Sequence, residues 1–139
     1  MSTTEPGPAK HAGGCLCGDV RYEVMVDAGN ASSCNCTICT KLGALVAVVK
    51  PAAFKLLSEE ARLSSYSRAP EIANRFFCAR CHIHCFGKGH IAELGGDFVA
   101  INLNTLDEFD PTRANIVYWD GRHDNWGAGT RGTPWPILP

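Results

Sequence analysis

The sequence has no apolar stretch long enough to cross a bilayer. A spanning helix needs about 20 such residues, and the longest clearly apolar run here is Ala44-Leu45-Val46-Ala47-Val48-Val49. The first eight residues, Met1 to Pro8, lack the apolar centre of an export signal, so a cytoplasmic location is expected, where thiols stay reduced. An excess of positive charge is missing too. Lys and Arg total 13 against 14 Asp and Glu, for a net charge of −1, and the basic residues are scattered singly. That argues against a general nucleic-acid binder, which carries a basic excess or stripe. No internal repeat and no long amphipathic helical period is visible.

What remains is 139 residues, 45% of them apolar, enough for one domain with a core. Residues 1–12, rich in Pro, Gly, Thr and Ala, read as a flexible leader, 13–126 as the folded domain and 127–139 as an irregular tail lying on the surface or on a partner subunit. The tail leaves room for a homo-oligomer. Alternation at Val20, Tyr22, Val24 and Val26 predicts a strand. Leu45–Val49 reads as a buried strand, and Asn30–Lys41 as a loop. Phe54 to Leu56, Leu63 to Tyr66, Ala73 to Phe77, Phe98 to Leu103 and Ile116 to Trp119 predict further short strands. Gly95-Gly96-Asp97 marks a turn, and Thr105-x-x-Glu108 a weak helix start. Many short strands with Gly and Pro turns predict a mainly β domain.

Eight cysteines dominate this background. They are tightly clustered, and Cys-x-Cys pairs bridge poorly to each other, so metal binding is favoured over a disulfide framework. Cys15-x-Cys17 and Cys78-x-x-Cys81 are two chelating pairs that together supply the four thiolates of a closed structural zinc site, with Gly14 and Gly18 letting the backbone bend around the first pair. Cys34-x-Cys36-x-x-Cys39 packs three thiols into six residues. A zinc held there needs a fourth ligand: Cys85 or one of His11, His82, His84, His90 and His123 closes the site, or the position stays open to substrate as in catalytic zinc. Three thiolates make zinc a soft Lewis acid suited to a sulfur ligand, and a thiol bound there loses its proton. The chemistry pointed to is that of a small thiol.

Among the other candidates, His82 and His84 fall on one face if the segment is extended. Lys41, Arg75, Arg80 and Arg122 are cations for a substrate's carboxylates or plain surface charges. Trp119, Trp126 and Trp135 read as core or interface residues, and Cys85 as a small buried apolar one.

Gly14-Cys15-x-Cys17-Gly18, Cys34-x-Cys36-x-x-Cys39, Phe77-Cys78-x-x-Cys81 and Gly95-Gly96-x-Phe98-Val99-Ala100-Ile101-Asn102 resemble the glutathione-dependent formaldehyde-activating enzyme family, whose domain is shared with centromere protein V. The similarity runs from about Gly13 to Trp126. It implies a β-rich zinc-binding fold of the Mss4-like kind, two Zn2+ per chain, a structural zinc on Cys15, Cys17, Cys78 and Cys81, and a catalytic zinc on Cys34, Cys36 and Cys39. It also implies a small-thiol partner such as glutathione and a carbon–sulfur lyase reaction, the condensation of glutathione with formaldehyde to S-hydroxymethylglutathione. The domain shared with centromere protein V leaves a non-catalytic, zinc-stapled protein-interaction module as the alternative. The chain departs from the family pattern at His82, where glycine is usual, and at Cys85, where proline or an apolar residue is common.

Overall fold

A computed structural model describes residues 7–139 as a mainly β protein of two sheets. In chain order the strands are β1 (Ala9–Gly14), β2 (Arg21–Val26), β3 (Asn30–Cys34), β4 (Val46–Val49), β5 (Phe54–Leu56), β6 (Leu63–Ala69), β7 (Ala73–Cys78), β8 (His84–Ile91), β9 (Gly96–Asn102), β10 (Asn115–Trp119) and β11 (Thr130–Arg131). One six-residue helix, α1 (Thr37–Leu42), follows β3. The small sheet has the order β1-β2-β5, and the large one β11-β10-β3-β4-β9-β8-β7-β6. Neighbours are antiparallel except β3 and β10, which run parallel.

The alternation expected in β2 decides how the sheets pack. Val20, Tyr22, Val24 and Val26 are buried, while Arg21, Glu23 and Met25 between them are half-buried or exposed. They meet Phe86 of β8 and Val99 and Ile101 of β9 in one core. Tyr22, Phe54, Phe76 and Phe86 form an aromatic cluster, with Phe54 and Phe86 ring centres 4.6 Å apart. The Tyr22 hydroxyl is satisfied in this core by Thr105 Oγ1 at 2.6 Å.

Several expectations need correction. Residues 9–12, read as leader, belong to β1, whose pairing with β2 satisfies their backbone; residues 1–6 lie outside the described part. β4 is only half-buried, and Val48 is 52% exposed, because the small sheet covers the large one on one face only. The expected loop at 30–41 is instead strand β3 followed by α1. Thr105 starts no helix: it sits buried at the end of a 3-10 turn and donates to the Asn102 carbonyl at 2.7 Å. Strand β8 had no sequence signal of its own; Gly87, Gly89 and Lys88 hide its period. Among the described residues no helix is long and apolar enough to cross a membrane.

Candidate metal centres

All eight cysteines are free thiols, and seven of them gather into two groups. In each group every sulfur lies within 4.8 Å of the others.

The first group joins the two sheets. Cys15 and Cys17 sit on the turn between β1 and β2; Cys78 ends β7 and Cys81 lies in the turn before β8. The sulfurs of Cys15 and Cys17 are 3.7 Å apart, and those of Cys17 and Cys78 are 3.6 Å apart. Backbone N–H groups point at them. Val20 donates to Cys15 Sγ at 3.2 Å, and Arg80 and Cys81 both donate to Cys78 Sγ at 3.3 Å. Against the cost of burial, the bond to Cys15 favours its thiolate form. Glycine is required at Gly14, where a Cβ would run into the Val20 carbonyl, and Gly18 takes the left-handed conformation with φ 89°. Asp19 bridges Arg62 at 3.0 Å and Arg80 at 3.7 Å across the two turns.

The second group is local. Cys34 ends β3, Cys36 is the N-cap residue of α1 and Cys39 lies within α1. The parallel pairing of β3 with β10 sets Cys34 beside Trp119 and brings the following turn over the thiols. At Gly121 a Cβ would stand 2.6 Å from Cys34 Sγ and 2.7 Å from the Trp126 ring. The Cys34 thiol is pulled down to about 5, chiefly by its hydrogen bond with Cys39 and, against the cost of burial, by the backbone N–H groups of Cys36 and Gly121. Cys39 is pushed up by the same bond and by burial.

A polar network braces this group. Asp120, 5% exposed, accepts from Asn35 Nδ2 at 2.8 Å, from Asn125 Nδ2 at 3.3 Å, and lies 2.8 Å from His123 Nδ1. Arg122 donates from its backbone to Asn35 Oδ1 and from Nε to the Asn35 carbonyl, both at 2.9 Å, and from Nη2 to Thr40 Oγ1 at 3.4 Å. No sequence signal marks Asn35, Asp120 and Gly121 as parts of a site. Arg122 is a clamp on the cysteine loop rather than a loose surface charge.

No histidine, carboxylate or further cysteine joins either group among the described residues. Cys85 is fully buried, and burial pushes its thiol up to about 12, with the charges of Cys15 and Cys78 adding to the effect. It belongs to the surroundings of the first group and cannot close the second. His82 and His84 do not share a strand face: His82 precedes β8 in a left-handed turn with φ 66°, and His84 pairs in register with Phe77.

The glutathione-dependent formaldehyde-activating enzyme family model matches residues 10–122, most of the chain. The chain belongs to that family. Its name points to chemistry of glutathione and formaldehyde. Among solved structures, a Rhodobacter sphaeroides protein studied as a structural genomics target is similar, with a TM-score of 0.66 and 24% sequence identity over 78% of this chain and 98% of the other. That likeness shows the fold. In the family match the two cysteine groups fall within residues 10–122, and the Trp135 tail falls outside them.

Proposed function

We propose that the protein is a zinc-dependent enzyme that makes and breaks a carbon–sulfur bond in a small thiol adduct, as in condensation of glutathione with formaldehyde to S-hydroxymethylglutathione. Cys15, Cys17, Cys78 and Cys81 hold a structural zinc, and Cys34, Cys36 and Cys39 hold the catalytic one. The observation that carries this reading is the three-thiol group, with no fourth protein ligand within reach among the described residues.

The donor chemistry fits zinc. Sulfurs at about 2.3 Å from a tetrahedral zinc stand about 3.8 Å from one another, and the measured separations of 3.7 and 3.6 Å in the first group match that edge. In the second group three thiols fill three positions, and a fourth stays available. When bound, zinc on three thiolates supplies a soft Lewis-acid position that favours the thiolate form of an incoming thiol.

The chain's own residues do the rest. The hydrogen bond with Cys39, and after it the N–H groups of Cys36 and Gly121, favour the anionic form of Cys34. Asp120 fixes Asn35 and orients His123. Adding a thiol to a carbonyl releases one proton from sulfur and requires one on oxygen. His123, two residues beyond Gly121 and 47% exposed at its side chain, is the group on this turn whose chemistry includes proton transfer. Reduced thiols are needed throughout, which suits the cytoplasm.

The test is metal content with turnover. Protein purified without chelators is expected to hold two zinc ions per chain and to speed exchange between glutathione, formaldehyde and their adduct, followed by NMR exchange spectroscopy. Cys36→Ser should keep the fold, hold one ion and lose at least about a hundredfold in rate. Full turnover in that variant sinks the proposal. A single ion in the wild type, not raised by added zinc, turns the reading to a zinc-stapled interaction module.

A further inference from the structure

A cavity of about 300 Å³ opens beside the three-thiol group. Cys34, Cys39, Leu45 and Trp119 line it, together with the C-terminal tail through Trp135. The tail is fastened there. Its β11 pairs with β10, setting Arg131 against Tyr118; Trp135 Nε1 donates to the Tyr118 carbonyl at 2.8 Å; and the Arg131 guanidinium lies 4.0 Å from the Trp135 ring centre. Pro134 and Ile137 complete the wall. A larger, shallower groove of about 460 Å³, between β2, β3 and β4, touches neither cysteine group.

Charge and size restrict what the cavity can take. Among the described residues no Lys, Arg, His, Asp or Glu lines it. The cations around it are engaged elsewhere: Arg122 donates to Asn35 and Thr40, and Arg131, which packs on the Trp135 ring, donates to the Thr133 and Pro134 carbonyls. A glutathione body, with two carboxylates and an ammonium, finds no counter-charge inside and would leave its charges desolvated. A one-carbon carbonyl is far too small: the cavity has the volume of about ten liquid waters. An apolar cavity of about 150 Å³ already accepts a benzene ring, and aromatic walls next to a few polar groups are how small-molecule sites are built.

We propose that this cavity holds the carbonyl-derived half of the thiol adduct, and that this half is a compact apolar group, best a single aromatic ring, rather than the one-carbon unit. This rests on the thiol-adduct reading of the same site. The thiol stays outside on its charged side and presents its sulfur to the three-thiol group, while the carbonyl carbon reaches it from the cavity. The sulfur lone pair forms the carbon–sulfur bond, the carbonyl π pair moves to oxygen, and oxygen takes the proton the thiol gave up. The reverse step returns aldehyde and thiol. Nothing is oxidised or reduced.

Two measurements on metal-loaded protein test this. The first compares exchange rates for the glutathione adducts of benzaldehyde and formaldehyde. The second follows benzyl alcohol, an unreactive ring probe, by saturation-transfer NMR. The wild type is expected to favour the benzaldehyde adduct by tenfold or more in kcat/KM, of the order an apolar pocket supplies. Trp135→Ala should lower that ratio about tenfold and weaken benzyl alcohol binding. Ile137→Glu, which leaves the Trp135 ring in place and puts a charge in the wall, should do the same, with circular dichroism reporting that both variants fold. A wild type that handles formaldehyde better and leaves benzyl alcohol free overturns the cavity assignment and leaves the thiol-adduct reading standing. Turnover of neither adduct, with benzyl alcohol still bound and both variants weakening it, instead overturns the thiol-adduct reading and with it the assignment of the bound ring to an adduct.

Discussion

The two cysteine groups use the same ligand atoms for opposite structural purposes. The four-thiol group gathers residues as far apart as Cys15 and Cys81 and ties the turn of the small sheet to the β7–β8 turn of the large one. The three-thiol group spans six residues, from the end of β3 across the N-cap Cys36 into α1. Closing a long loop costs more chain entropy than closing a short one, so an ion in the first group is bound up with folding in a way that an ion in the second is not. Burial alone does not separate them: the first group runs from exposed Cys17 to Cys78, fully enclosed in the core, and the second has three half-buried thiols bordering an open cavity. On the function proposed above, the first group is the staple and the second the workplace.

Removing a ligand from the staple is expected to have the largest effect. Cys78→Ser takes away a buried sulfur that accepts two backbone N–H bonds. Structural zinc supplies about 10 kcal/mol or more of folding free energy in small domains. The variant should show no cooperative thermal transition above room temperature. A melting temperature within a few degrees of wild type would break the contrast by showing that the sheets hold together without the ion.

Gly121→Ala attacks the other side of the comparison. Its Cβ would meet Cys34 Sγ at 2.6 Å, so the turn must move and the N–H that favours anionic Cys34 moves with it. Affinity for the second ion should drop roughly tenfold to a hundredfold, the usual effect of losing a supporting contact around a metal. Competition with a chromophoric chelator reads this directly. The first ion and the thermal transition should hardly change; if both ions loosen together, the two groups are coupled and the separation fails.

Much of this contrast is legible in the residues, and the reason is physical. Metal-ligand spacing is local, so Cys15-x-Cys17, Cys34-x-Cys36-x-x-Cys39 and Cys78-x-x-Cys81 announce themselves, and the period-2 burial of Val20 to Val26 shows one covered face. What surrounds the second group is not local. Asn35 and Asp120 meet only because β3 and β10 run side by side in parallel, a pairing that no short-range pattern encodes. The same holds for Trp135, which reaches the cavity by way of β11. Strand β8 was hidden for a different reason: its glycines avoid the Asn74 and Ile72 carbonyls and thereby erase the apolar alternation.

Metal held at either group would be released as acid protonates the thiolates, so low pH alone does not distinguish them. His84 adds an independent acid effect. Neither ring nitrogen has a partner among the described residues, and burial, with help from Arg75, holds the imidazole down at about 4. Its unfolded value is about 6.5. Above 6.5 the ring is neutral in both states. As pH falls from 6.5 toward 4, the unfolded chain takes up a proton that the folded one refuses, and stability is lost over that window. His84→Leu should remove this slope. After allowance for partial exposure, the difference between pH 7 and pH 5 should be of order 1 kcal/mol, read from urea midpoints at the two pH values. Identical slopes in variant and wild type would assign the acid sensitivity to the thiolates alone.

The smallest effect concerns the residue that departs from the family pattern inside the staple. His82 follows Cys81 and carries φ 66°, a left-handed conformation that costs an ordinary L-residue about 1–2 kcal/mol. The turn imposes it. The His82 N–H must reach the Cys78 carbonyl at 2.9 Å while the Cys78 N–H takes the Ile83 carbonyl at 3.0 Å, and only a left-handed residue closes both bonds around the thiols. Glycine adopts this geometry freely but brings a more flexible unfolded chain, which returns about 0.4–1 kcal/mol of the gain. His82→Gly is therefore expected to stabilise the protein by about 0.5–1 kcal/mol, a rise of a few degrees in melting temperature. Occupancy and turnover at the three-thiol group should stay as they are, since His82 touches none of its residues in the bonding described. A loss of stability on this substitution would mean that the His82 side chain, exposed as it is, contributes a contact to the staple worth more than the strain.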